Sequence, residues 1–419
     1  MKTIAVIGGG ITGVTTAYAL RQRGFDVTLF EQHRYAAMET SFANGGQLSA
    51  SNAEVWTHTS TILKGLKWML RSDAPLLVNP KPSWHKLSWF AEFVASIPRY
   101  RHNTVATARL AIAARQHLFA WAEAEGIHFD LKRQGILHIY RDKAGFDHAA
   151  QVSTLLAEGG LPRRAVTPEE MRAIEPTLAG TYHGGFYTES DSTGDIHKFT
   201  VGLAAAAERH GVHFRFGASV RRLASDGARA SVTTVGEGGE QVQHFDGLVV
   251  CAGVGSRALA AQLGDRVNVY PVKGYSITVT LNDAPSQQAA PTVSLLDDET
   301  KLVTSRLGLD RFRVAGTAEF NGFNRDIRAD RIRPLIDWVN QCFPGVSTRQ
   351  VVPWAGLRPM MPDMMPRVSA GRRPNVFYNT GHGHLGWTLS AVTADMVAGQ
   401  VAQAGRAARP ALVPVASGT

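Results

Sequence analysis

The chain has 419 residues, 44% of them apolar and 19% charged, and its 44 Lys and Arg against 35 Asp and Glu give a formal charge of +9. This length and apolar content specify a folded protein of two or three domains and exclude a disordered chain. Two cysteines, Cys251 and Cys342, are too few for a disulfide framework or a cysteine-based zinc site, and point to a reducing compartment.

In chain order, TIAVIG (3–8) is a β-branched run ending in glycines and reads as a buried parallel strand. A helical pattern follows to Gly24, then the strand DVTLFE (26–31), which together make a βαβ unit. Residues 33–60 are irregular and rich in Ser, Asn and Gly; Ile62–Leu70 is amphipathic and basic, and Ala-rich 104–125 is helical. Beyond these come a strand in 134–140, a helix closed by Gly159 and Gly160, and the capped helix VTPEEMRAIEP. After Asp195 the pattern returns to α/β: a helix, a strand in HFRFGASVRRL, a hairpin around GEGG, and the buried strand of FDGLVVCAG (245–253). Strands are expected in 267–280 and 301–317, a helix over 329–342, a Pro/Met-rich loop at 357–366, and a last strand, Gly turn and helix from Val376 to about Val401.

Gly8-Gly9-Gly10-Ile11-Thr12-Gly13 fits GxGxxG directly after a strand and at the start of a helix. There the first glycine allows a tight turn, the second lets the backbone approach a pyrophosphate, and the third lets helix and strand pack closely. Glu31 closes the second strand where a carboxylate binds ribose hydroxyls, which disfavours a 2′-phosphate. The motif itself leaves FAD and NAD open. The turn Gly383-His384-Leu385-Gly386-Trp387-Thr388 opens the last helix, whose free N–H groups suit a developing anion. The His-x-His pair at 382 and 384 has no further ligands in the sequence nearby, and no metal is expected. GxSxG, HExxH and GxxxxGK[ST] are absent from the sequence, so hydrolase, zincin and P-loop chemistry lack their residues.

ETSFANGGQLS (39–49), YPVKGYS (270–276), WAGLRPMMPD (354–363) and TGHGHLGWT (380–388), in this order, resemble the D-amino-acid oxidase-like family of FAD oxidoreductases, and within it the D-amino acid dehydrogenase branch. The resemblance runs from residue 1 to about 401. It implies an α/β fold in which an FAD-binding Rossmann-like domain (1–56, 191–265 and 351–419) carries a second α+β substrate domain (57–190 and 266–350) on a mostly antiparallel sheet. It implies noncovalent FAD held by Gly8, Gly10, Gly13 and Glu31, by Ser41, Asn44, Gly45 and Gly46 beside the flavin, by Val220 and Gly253, and by 383–388. Read without the family, Ser41 and Asn44 would be polar residues capping a helix. Arg358 takes the place that binds a substrate carboxylate, for which a guanidinium fork is matched; an ion pair with Asp363 is the structural alternative. Tyr275 is expected as a substrate-side aromatic.

The implied reaction moves hydride from a D-amino acid Cα to flavin N5, after which the imino acid hydrolyses to a 2-oxo acid and ammonia and the electrons pass to a quinone or another acceptor. D-hydroxyproline dehydrogenase and glycine or sarcosine oxidase are neighbouring alternatives, and an FAD-dependent tRNA-modifying oxidoreductase is a remote one. No nucleic-acid partner is expected, because the family pattern consumes nearly the whole chain. Residues 55–117 carry nine basic residues against two acidic and half of the eight tryptophans. Such a surface suits peripheral contact with the inner face of the cell membrane; packing as a lid over the substrate domain is the other reading. Apolar runs fall short of the ~20 residues that span a bilayer, and the opening MKTIAVIGGG lacks the apolar region of a secretory signal.

Overall fold

The computed structural model describes residues 1–59 and 75–407. Six of the described strands form one sheet in the order Arg367–Ala370, Val376–Thr380, Gly247–Val250, Thr3–Ile7, Asp26–Phe30, His213–Arg215, all parallel except the first. Apolar runs fill both faces of this sheet. Ile4, Val6, Leu29 and Val249 pack with the helices Ile11–Gln22, Ile196–Arg209 and Gly386–Ala407. Ala5, Ile7, Leu248 and Val250 face a core shared with the antiparallel strands 219–245 and the helix Ser256–Gln262. The hairpin expected around GEGG is the pair Ala230–Gly236 and Gly239–Phe245.

A larger, mostly antiparallel sheet runs in the order Val351–Met360, Tyr270–Thr280, Arg311–Phe320, Leu302–Leu307, Ser294–Asp297, Ile136–Tyr140, Gly184–Thr188, Arg164–Val166. Leu76–Val78 adds to Arg311–Phe320 in parallel. The helix Ala329–Cys342 lays Ile332, Leu335, Trp338 and Val339 on one face of this sheet, at the spacing of one helical stripe. The other face turns toward the parallel sheet, and the sites described below lie between the two.

Two sequence expectations change here. The stretch expected as a loop from Leu357 is in its first four residues the end of the strand Val351–Met360, which pairs along its length with Tyr270–Thr280. It is an edge strand, which is why Pro353 and Pro359 are tolerated in it. The same segment, grouped by sequence with the dinucleotide-binding parts, thus hydrogen-bonds to the larger sheet. The amphipathic stretch Ile62–Leu70, with Lys64, Lys67 and Trp68, and Arg71 after it lie outside the described residues; within them the basic segment includes the helices Trp84–Ala95 and Tyr100–Ala124.

Candidate active site

At the carboxyl ends of the parallel strands lies a cavity of about 520 Å³, the position at which open α/β sheets bind ligands. Its walls are built by the turn Gly8–Thr12, by Glu31, by Ala218 and Val220, by Ala252–Gly255, and by Thr380–His384. The backbone around the first turn explains its glycines. Gly8 has a φ of +108°, and a Cβ there would sit 2.7 Å from the Cys251 carbonyl oxygen. Gly13 is not part of this cavity's wall; a Cβ on it would overlap the Gly8 carbonyl oxygen, so its part is to seat the helix against the strand. Gly253 opens onto free space instead, and a Cβ on Gly10 would make only ordinary contact with the Ser41 hydroxyl at 3.5 Å.

Glu31 is buried and fixed at both oxygens: the Gly9 N–H donates to Oε2 at 2.6 Å and the His33 N–H to Oε1 at 2.9 Å. Each oxygen keeps a lone pair for a ribose hydroxyl. Ser41 accepts from the Ile11 N–H at 3.0 Å, which caps the first helix whose Gly10 offers no side chain for the purpose. Asn44 accepts from the Gly46 N–H at 2.9 Å. Both residues also border the cavity.

A second, smaller cavity of about 90 Å³ adjoins the first, and Thr40, Asn44, Arg358 and His384 border both. Its walls include Gly45, Gly46, Gln47, Gly274, Trp354, Leu385 and Thr388. The double glycine is demanded by packing: a Cβ on Gly45 would lie 2.5 Å from Val303 and one on Gly46, at φ +71°, 2.8 Å from the Ser305 hydroxyl. Ser276 and Ser305 donate to the carbonyls of Ala43 and Gly45, tying this loop to the larger sheet.

Arg358 stands where the two cavities meet. Its Nη1 donates to the Thr317 carbonyl at 2.7 Å and its Nη2 to the Gly316 carbonyl at 3.3 Å. Those carbonyls are presented by a β-bulge in which Thr317 and Ala318 together oppose Gly274. Thr317 adopts φ +58° there, a strained value for a β-branched residue. The guanidinium lies over Gly274, where any Cβ would collide with it, and the Trp354 indole covers Gly356 in the same way. Among the described residues Arg358 has no carboxylate partner, and burial lowers its pKa to about 10. The ion pair with Asp363 is not formed, since Asp363 turns to the Met365 N–H at 3.1 Å. A desolvated guanidinium served only by neutral carbonyls is poised for an anion.

Tyr275 is among the residues that wall the smaller cavity, but its hydroxyl is engaged away from it. Side chains alternate along a strand; Gly274 and Ser276 face the cavities, so the Tyr275 ring turns to the opposite face. There it is buried, its hydroxyl donates to Glu319 Oε2 at 2.9 Å, and Glu319 pairs with buried Lys273 at 3.3 Å. Burial, then the Glu319 carboxylate, push the phenol far above its usual range, which fits a structural group.

The turn before the last helix brings Gly383, His384, Gly386 and Trp387 to the first cavity and Leu385 and Thr388 to the second. Gly383 has φ +59°, with Met360 Sδ 2.8 Å from where a Cβ would be. His382 is buried against Thr393 at 2.9 Å, and desolvation lowers its pKa to about 3. Among the described residues no cluster of three metal-ligating side chains occurs. Cys251 borders the first cavity, but burial raises its thiol to about 12. Sequence reasoning passed over Gln47, Gly274, Trp354 and Thr317. Gly274 and Trp354 were inside the motifs quoted, yet their roles depend on strand pairing that spacing does not reveal.

The residues fit FAD. Two helix N-termini, at Gly10 and at Gly383–Gly386, and the carboxylate of Glu31 border one cavity. The buried indole N–H of Trp387, a residue that borders the same cavity, has no partner among the described residues.

The model of the FAD dependent oxidoreductase family matches residues 3–400. The D-amino acid dehydrogenase 3 of Mesorhizobium japonicum is 64% identical over 402 residues, which cover 96% of this chain and 97% of the relative. The D-amino acid dehydrogenase of Dechloromonas aromatica is 41% identical, covering 95% and 97%. Among solved structures, glycine oxidase from Geobacillus kaustophilus has the same fold at a TM-score of 0.73, with 22% identity over 96% of this chain and 95% of that one.

Proposed function

The chain belongs to the family of FAD dependent oxidoreductases, and from that membership and the two joined cavities we propose that it deaminates D-amino acids oxidatively to 2-oxo acids and ammonia. The observation that carries this reading is Arg358: a guanidinium without a carboxylate partner among the described residues, held by two backbone carbonyls at the junction of the cofactor cavity and a small second cavity. A substrate carboxylate there gains charge-assisted hydrogen bonds in a desolvated setting.

Glu31 would hold the ribose, the backbone of 10–12 the pyrophosphate, Val220 the adenine side, and 44–46 with the backbone N–H groups of 383–388 the ring. Bound there, FAD supplies a two-electron acceptor for the hydrogen leaving the substrate Cα. The protein's part is to orient: Arg358 fixes the carboxylate, and the small cavity walled by Trp354 and Leu385 confines the rest of the substrate and limits water. No side chain is required as a strong base.

The proposed acceptor is a membrane quinone, and one surface supports it. On the helix Trp84–Ala95, Trp84, Leu87 and Val94 are 78%, 53% and 52% exposed. At positions i, i+3 and i+10 they form one apolar stripe in the basic segment, the arrangement of an interfacial helix on an anionic bilayer. Electrons then pass to a membrane quinone. Among the described residues no helix is long and apolar enough to cross a membrane.

Two assays test this function. Purified holoenzyme with a soluble quinone should release 2-oxo acid and ammonia from D-amino acids and not from L-enantiomers, glycine or sarcosine; product from glycine or sarcosine alone would overturn the assignment. Flotation with anionic vesicles should carry the protein, and Trp84→Ala with Leu87→Ser should abolish the co-flotation; equal flotation of the double variant removes the membrane surface.

A further inference from the structure

His384 borders both cavities. Its ring is stacked on Trp56, with centroids 5.0 Å apart and planes 15° from parallel, which fixes the plane of the imidazole. Its Nε2 lies 3.4 Å from the Asn52 carbonyl oxygen. A carbonyl only accepts, so the proton sits on Nε2 and Nδ1 carries a lone pair. That Nδ1 is buried and has no partner among the described residues. A buried acceptor without a donor is costly and asks for one from a ligand. Burial first, and then the neighbouring Arg358 charge, lower the imidazole pKa to about 4, so Nδ1 remains an acceptor at neutral pH.

Arg358 offers only donors, and His384 beside it offers an acceptor. This pairing is complementary to an α-amino acid, whose carboxylate accepts and whose amino group donates. We propose that His384 Nδ1 accepts a hydrogen bond from the substrate's amino nitrogen, so that Arg358 and His384 together grip the two polar groups on Cα. The inference rests on the proposed amino acid substrate and adds a substrate contact to a residue the sequence assigned to the cofactor.

The test compares D-alanine with propanoate, which has the carboxylate and lacks the amine. In holoenzyme under anaerobic conditions, the concentration dependence of flavin bleaching reports D-alanine binding, and the shift of the flavin spectrum reports propanoate. His384→Phe should weaken D-alanine by about tenfold or more, the loss expected for a buried hydrogen bond to a polar or charged donor, while propanoate affinity and FAD retention stay near wild type. His384→Asn, whose amide oxygen falls near the Nδ1 position, should recover most of the D-alanine affinity, and His384→Gln, which places it near Nε2, should not. Equal weakening of both ligands, loss of FAD, or indistinguishable Asn and Gln variants would overturn the contact. Wild-type flavin that no D-amino acid bleaches would instead overturn the proposed function, so the two failures are separable.

Discussion

The carboxylate-binding position proposed for Arg358 is made by its backbone neighbours. Its side chain is aimed by the carbonyls of Gly316 and Thr317, and given room by Gly274. Arg358→Met should raise KM for D-amino acids by roughly 30-fold or more, since truncating one side of a desolvated charge pair costs about 2–5 kcal/mol; FAD content, read from the visible spectrum, should not change. Thr317 stores strain at φ +58°. Thr317→Gly should therefore stabilise the protein by about 1 kcal/mol, the release of ~1–3 kcal/mol of strain less ~0.5–1 for glycine's added chain entropy. A higher denaturant midpoint would show this. The sequence displayed Arg358 clearly, because a guanidinium in a quoted motif has a known chemistry. The direction of Tyr275 was hidden, because it depends on which face of a strand the neighbouring Gly274 and Ser276 occupy, and that is set by pairing with residues some 80 positions away.

At the level of elements, what was legible is what is local. The first strand, glycine turn and helix are encoded within about thirty residues, and the structure forms them at Thr3–Ile7, Ile11–Gln22 and Asp26–Phe30. The helix Ala329–Cys342 was equally plain from its apolar stripe. The strand Val351–Met360 was not, because its two prolines and the methionine run after it read as a loop, and only its edge position in the sheet makes them acceptable. The glycine turn gives a sharp prediction at this scale. Gly13→Ala places a methyl group onto the Gly8 carbonyl oxygen, which is backbone and has no rotamer to yield. The helix must move off the strand, so the variant should be purified without flavin or not fold; a yellow, stable Gly13→Ala protein would contradict the packing described.

At the scale of the whole molecule, the protein buries histidines in their neutral form. Desolvation lowers His382 to about 3 and holds His138 well below its ordinary value of 6.5. In the unfolded chain both take up protons as pH falls below about 6.5, while in the folded protein they resist. Their folded values are depressed, so the stability they contribute is present above pH 6.5 and is lost on acidification, for His382 by about 1.4 kcal/mol per pH unit between pH 6.5 and about 4, with His138 acting in the same direction. Thermal unfolding followed over that range should show a falling midpoint, and a flat profile would mean that these imidazoles are protonated in the fold. The large-scale arrangement is also what joins the chemistry: the parallel sheet supplies the cofactor cavity, the antiparallel sheet supplies Arg358, and the loop 40–49 is tied between them. The most direct measurement of that union is an anaerobic titration of the purified yellow protein with D-alanine and, separately, with L-alanine. One equivalent of the D-enantiomer should bleach one equivalent of flavin while the L-enantiomer leaves the spectrum unchanged; a colourless protein that cannot be loaded with FAD, or flavin indifferent to both, would contradict the account.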